Sequence, residues 1–296
     1  MLEKEVQYKI NKMLMSPMIG FDWEVDTDKQ IVQKLIKFVG NNLSYEEHTK
    51  LSHRILVHSS YVKRYALDII RQDENLYVPE NVEKISTAAL FHDIGKLLEV
   101  NNIMETYNDK NHAEYSAFIV KIILSKQNKW SDTEIDEIVN IIKLHSLKGN
   151  NCPKDAPPLA KILMDADLLD EKCGVRFFKL CMAKYSDEIL LAKINAKISK
   201  KLNKTGKTKL KKNQIKEIIK KCKRDNLNSE DFDLLYNIFI ADRDSNRKIV
   251  KEKSVCPELT IPLFESEIEY AYRLFCSTEV FAFTDSYFDE LVAKLK

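Results

Sequence analysis

An imidazole followed directly by a carboxylate, His92-Asp93, lies inside the apolar string Leu90-Phe91-His92-Asp93-Ile94-Gly95-Lys96. Burying both polar groups is costly unless something compensates. A divalent metal ion does so: it accepts the neutral imidazole nitrogen and pairs with the carboxylate charge. Groups able to complete such a site stand on either side, with His58 upstream and His112, His145 and the Asp165/Asp167 pair downstream. The set points to a metal centre assembled from several helices, and so to an enzyme.

A ligand must face inward, where a helix ordinarily shows only apolar residues. His58 shares a helical face with Ile55, Val62, Ala66 and Ile69, and His92 with Ile85, Ala88 and Ala89. His112 leads Tyr115, Ile119, Val120 and Ile123; His145 follows Ile138, Ile141 and Ile142; Asp167 falls on the stripe of Leu159, Ile162, Leu163 and Ala166. One inward histidine is more often an ordinary core residue than a ligand, but four of them with inward acids reverse those odds. The chain has only six histidines, and the other two, His48 and His53, sit on no clean apolar face. Asp165 is two positions from Asp167, about 200° around the helix. It is the weaker ligand candidate and alternatively orients a neighbour.

In this order the residues resemble the HD superfamily of metal-dependent phosphohydrolases. His58-Ser59-Ser60-Tyr61-Val62, with Ala66, resembles the family's first motif and Phe91-His92-Asp93-Ile94-Gly95-Lys96 its second. Asp165-Ala166-Asp167-Leu168-Leu169-Asp170-Glu171 resembles its last, in which the aspartate after alanine is the ligand. The likeness spans residues 44–176 and implies the ligand set His58, His92, Asp93, His112, His145 and Asp167. The two intervening histidines resemble the binuclear branch. That implies two divalent ions (iron, manganese or another transition metal, with magnesium as an option) bridged by Asp93. Two such ions activate a water and clamp a phosphate in line with it. The implied activity is hydrolysis of a nucleotide or another small phosphoester or phosphoanhydride.

Lys96, one helical turn beyond His92, is the foremost phosphate-facing cation, and otherwise a helix C-terminal cation that complements the macrodipole. Arg176, in Gly174-Val175-Arg176, resembles the arginine that follows the last motif in some small members; Arg54 and Lys148 have only proximity in their favour. Departures narrow the family. His145-Ser146-Leu147-Lys148 lacks the Gly-Tyr-Pro of the cyclic-di-GMP esterases, and Lys96 stands where the deoxynucleoside-triphosphate hydrolases usually carry a histidine. The H-D-x-x-E-D pattern of alarmone hydrolases is absent too. Two other classes compete with the phosphohydrolase: an HD-fold diiron oxygenase, and a nuclease or nucleic-acid-processing enzyme docking through a basic segment.

That segment, residues 171–225, carries 18 Lys/Arg against 5 Asp/Glu, while the rest of the chain carries 29 against 40. It reads as a surface for an anionic partner or as a solvated lysine-rich hairpin. The six cysteines form no C-x-x-C pair and read as reduced thiols. The N-terminus MLEKEVQYKINKMLM is charged throughout, and no run approaches the roughly 20 apolar residues of a membrane span. The expectation is a cytoplasmic protein with a small phosphorylated partner and no membrane.

Six glycines and seven prolines in 296 residues favour helix over strand. The expected fold is all-α, an HD-domain helical bundle followed by a smaller helical C-terminal region. Its divisions are N-terminal helices over 1–43, the hydrolase domain over 44–176 and a helical region of unknown role over 177–296. Apolar periodicity predicts helices over 2–14, 27–38, 45–72, 81–97, 111–126, 131–146 and 156–170. Ser44 and Glu47 form a capping box before the third, and Gly95 ends the fourth. Further helices are predicted over 171–201, 212–223, 229–240, 264–277 and 284–295, with a loop over 241–263 containing Pro257 and Pro262.

Overall fold

The computed structural model describes residues 4–102, 109–173 and 243–276, and every regular element among them is helical, with no strand. In chain order these are α1 (Lys4–Leu14), α2 (Asp28–Val39), α3 (Tyr45–Ser52), α4 (His58–Ile70), α5 (Pro79–Phe91), α6 (His112–Leu124), α7 (Asp132–Leu144) and α8 (Pro158–Lys172). Then come α9 (243–253) and α10 (Pro257–Cys276). Thr27, Ser44 and Ser131 each start a helix by accepting from the backbone three residues on, and Gln30, Glu47 and Glu134 return the bond to the cap. Each box satisfies N–H groups that a helix start leaves orphaned.

The core is built around α4, which packs on α5 and α8, while α6 packs on α7 and on the segment after α5. Ile69, Ile85, Val120, Ile138 and Leu163 are wholly buried there. Each is worth about 1.5–3 kcal/mol of transfer free energy. No described helix is long and apolar enough to cross a membrane.

Three local departures from the sequence expectation bear on function. The helix expected over 45–72 has one wide π turn, His53–Val57, between α3 and α4. Such a turn inserts an extra residue and so rotates the next stretch of helix about its axis, and His58 is the first residue of that stretch. The helix expected over 81–97 ends at Phe91, and a 3-10 segment, Ile94–Asn102, succeeds it. The loop expected over 241–263 is mostly helix. Pro257 opens α10, where a missing N–H costs nothing, and Pro262 is accommodated inside it.

The chain divides into two compact units. The first is Met1–Gly174 with Ile249–Phe264, so a stretch far along the sequence returns to it. The second is Val175–Lys248 with Glu265–Lys296, in whose described part Arg247 grips Glu265 through both Nε and Nη2. Arg176, the basic 171–225 segment and the expected 171–201 helix beyond residue 173, and the helices expected over 212–223, 229–240 and 284–295 lie outside the described residues.

Candidate metal centre

Helix ends deliver most of the candidate ligands. His58 is the first residue of α4 and His112 of α6; His92 directly follows α5 and His145 directly follows α7. Asp167 comes from the middle of α8. Gly95 lets these ends converge. A β-carbon there would stand 2.5 Å from the His112 carbonyl oxygen, 2.7 Å from the Ser116 nitrogen and 2.8 Å from the Tyr115 β-carbon. The Gly95 N–H also donates to Ser116 Oγ at 2.9 Å. Glycine is therefore required by backbone contact, which brings His92-Asp93 against the start of α6.

The hydrogen bonds of the rings fix which nitrogen is bare. Nδ1 of His92 lies 2.8 Å from the Ala89 carbonyl and Nδ1 of His145 lies 2.6 Å from that of Ile142. A carbonyl only accepts, so each Nδ1 carries the hydrogen and each Nε2 of a neutral ring presents a lone pair. Nδ1 of His58 likewise donates to Asp170 Oδ2 at 2.6 Å. The Nε2 atoms converge: His92 lies 3.3 Å from His58, His112 lies 3.0 Å from His145, and His58 lies 3.1 Å from Asp167 Oδ1.

Asp93 stands between the two imidazole pairs. Its Oδ2 is 3.5 Å from His58 Nε2 and 3.6 Å from His92 Nε2, while its Oδ1 is 3.4 Å from His112 Nε2 and 3.7 Å from His145 Nε2. Oδ1 is buried and receives no hydrogen bond. Acceptors gathered this closely repel one another unless a cation lies among them. The spacing suits a metal ion, because ligands about 2.1 Å from one centre stand about 3.0 Å apart at octahedral angles and about 3.4 Å at tetrahedral ones. Among the described residues two groups could hold an ion, His58–His92–Asp167 and His92–Asp93–His145, each with its ligand atoms within 4.8 Å of one another. His112, half-buried, adjoins the second group through His145 and Asp93.

Charge states follow from the same geometry. Burial resists ionisation of Asp93, yet the neighbouring His92, His145, Lys96 and His58 hold its carboxyl well below the usual range. Burial likewise opposes Asp167, and Lys148, His58 and His92 overturn it in the same direction. Burial keeps His145 neutral by lowering its pKa. For His58 burial also favours the neutral ring, but bonds to Asp167 and Asp170 and the charges of Asp167 and Asp93 raise its pKa to about 10. A proton and a metal ion thus compete for one Nε2.

Two lysines flank the cluster. Lys96 Nζ is 2.6 Å from Asp93 Oδ2 and Lys148 Nζ is 2.6 Å from Asp167 Oδ2, with Glu171 3.8 Å from Lys148. Arg54 is instead engaged with Glu99 at 2.6 Å on the exposed surface. Sequence reasoning passes over one contributor. Asp170 grips His58 from the final motif, where it looks like one acid among several; its spacing of three from Asp167 puts both on one side of α8. Asp165, the weaker ligand candidate, bonds to residues 254–260 and to no candidate ligand among its four partners.

Residues 55–172 match the family model of the HD domain. No curated protein and no solved structure matches the chain.

Proposed function

From the premise that residues 55–172 are an HD domain, of the metal-dependent phosphohydrolase superfamily, we propose that the chain hydrolyses a nucleotide or another small phosphoester or phosphoanhydride. The observation that carries this reading is Asp93, buried between two imidazole pairs with one carboxylate oxygen toward each. His58, His92, Asp93 and Asp167 would hold one divalent ion, and Asp93, His112 and His145 a second. When bound, the ions supply Lewis acidity that lowers the pKa of water and offsets phosphoryl charge.

The chain's own residues do the rest. Asp170 and the Ala89 and Ile142 carbonyls hold three imidazoles in the tautomer that presents Nε2. Lys96 and Lys148 each place an ammonium beside a ligand carboxylate. An ammonium has three donors, so a hydrogen bond to the carboxylate leaves others for phosphoryl oxygens. Both lysine side chains are partly exposed, at 20% and 18%, so that a substrate anion can reach them. Both features support a small phosphorylated molecule as the partner.

The test is elemental analysis of protein purified without chelators, followed by a panel of nucleotides and phosphoesters scored for phosphate or pyrophosphate release. About two metal equivalents per chain with turnover supports the reading. Metal without phosphate release, but with oxygen uptake on an electrode, transfers the site to the diiron oxygenases. No metal, and none taken up when supplied, overturns it.

A further inference from the structure

α8 is held on two faces, and only one of them belongs to the cluster. On that face Asp167 and Asp170 grip His58 at Nε2 and Nδ1, at 3.1 and 2.6 Å. Asp165, about 200° away, is buried at 1% exposure. Its carboxylate accepts four hydrogen bonds from a stretch about ninety residues downstream. Ser254 Oγ donates at 2.7 Å, the Val255 and Cys256 N–H groups at 2.9 Å each, and Thr260 Oγ1 at 2.6 Å. A buried carboxylate is tolerated only when its lone pairs are met in this way. Its partners include the residue before α10, where the helix's positive end favours an anion.

A second contact brings the same stretch to the turn beside Lys148. Gly149 has φ 61, and a β-carbon on it would be 3.4 Å from the Lys253 α-carbon. The residue before it is Lys148, whose ammonium holds Asp167. Residues 252–260 therefore lie against both the back of α8 and the turn that carries Lys148.

We propose that Asp165 is a positioning residue. With residues 254–260 it clamps α8 in the rotation that presents Asp167 and Asp170 to His58. The geometry makes the centre sensitive to that rotation, because a turn of about 20° moves side chains at the helix surface by about 2 Å. Both grips on His58 are lost by such a shift. The proposal rests on the reading of the cluster as a metal centre, and it makes the sequence beyond residue 176 part of what tunes that centre.

The experiment uses the full chain stripped with chelator and titrated with Mn(II) alone, free Mn(II) being read by its EPR signal. Four proteins are compared with the wild type: Asp165→Ala, Asp165→Asn, the double variant Ser254→Ala/Thr260→Val, and Leu35→Ala on α2 as a stability control. Circular dichroism reports which are folded at the titration temperature. Asp165→Ala is expected to weaken Mn(II) binding by about 10–100-fold, as loss of outer partners of metal ligands does, with the other two in between. Leu35→Ala is expected to melt lower while keeping wild-type affinity. Should Asp165→Ala not fold, the double variant decides, since it leaves the carboxylate in place. Folded variants at Asp165, 254 and 260 that bind Mn(II) like the wild type overturn the clamp alone. A wild type that takes up no Mn(II) overturns the metal reading and the clamp with it.

Discussion

At the scale of single residues, the centre depends on which atoms carry hydrogens. Asp93→Ala removes the carboxylate that faces both imidazole pairs and is expected to abolish bound metal and turnover together, measured by elemental analysis and phosphate release. His53→Ala, at a position off the apolar stripe, is expected to change neither. Asp170→Ala frees the His58 ring from its partner at 2.6 Å and is expected to weaken metal affinity by about 10–100-fold. pH acts through the same ring. With the His58 pKa raised to about 10 in the ion-free protein, one proton must leave as metal enters. Apparent affinity is expected to rise about tenfold per pH unit from 7 to 9, with proton release seen in unbuffered titration. A flat profile would contradict that competition. The convergence of His58, His92, His112, His145 and Asp167 could be read from sequence because a polar group on an apolar stripe is conspicuous. Asp170 could not, since an acid in an acid-rich motif carries no mark of its partner. Nor could the lysine–carboxylate pairs, because a long flexible side chain leaves its reach open.

At the scale of elements, helix ends supply most of the site and one face of α8 supplies Asp167 and Asp170. Capping boxes are legible because the cap and its return partner are three residues apart, as at Ser44 and Glu47. Gly95 is harder. The same residue type ends helices and permits close backbone approach, and only the packed α6 reveals that the second role is the operative one. Gly95→Ala drives a methyl into backbone atoms that cannot rotate away. It is expected to cost at least about 1–3 kcal/mol, measured by denaturant unfolding, and to lower metal uptake in the folded fraction. An unchanged midpoint would mean that α6 yields. Pro257 shows the converse ambiguity: Pro257 and Pro262 read as loop, yet a proline in the first turn is a helix start.

At the scale of the molecule, the unit that holds the centre is discontinuous, Met1–Gly174 with Ile249–Phe264. Local periodicity could not announce this return, because hydrogen bonds to Asp165 leave no pattern in the donors' own sequence. A chain cut after residue 176 loses all four donors and strands a buried carboxylate. It is expected to melt lower than the full chain and to be digested faster by protease at equal temperature. The basic 171–225 segment gives a separate expectation: if it docks nucleic acid, binding should be strong at about 50 mM salt and fall steeply above it. The return has a consequence in time as well. The donors lie 89 to 95 positions beyond Asp165. At about 5–20 residues per second, a ribosome needs about 5–20 s after making α8 before Thr260 exists. Throughout that interval the nascent chain carries every candidate ligand but cannot close the back of the helix that bears Asp167. If residues 254–260 tune the centre as proposed, its full metal affinity is reached only after Thr260 has been made, timed by the chain's own downstream sequence.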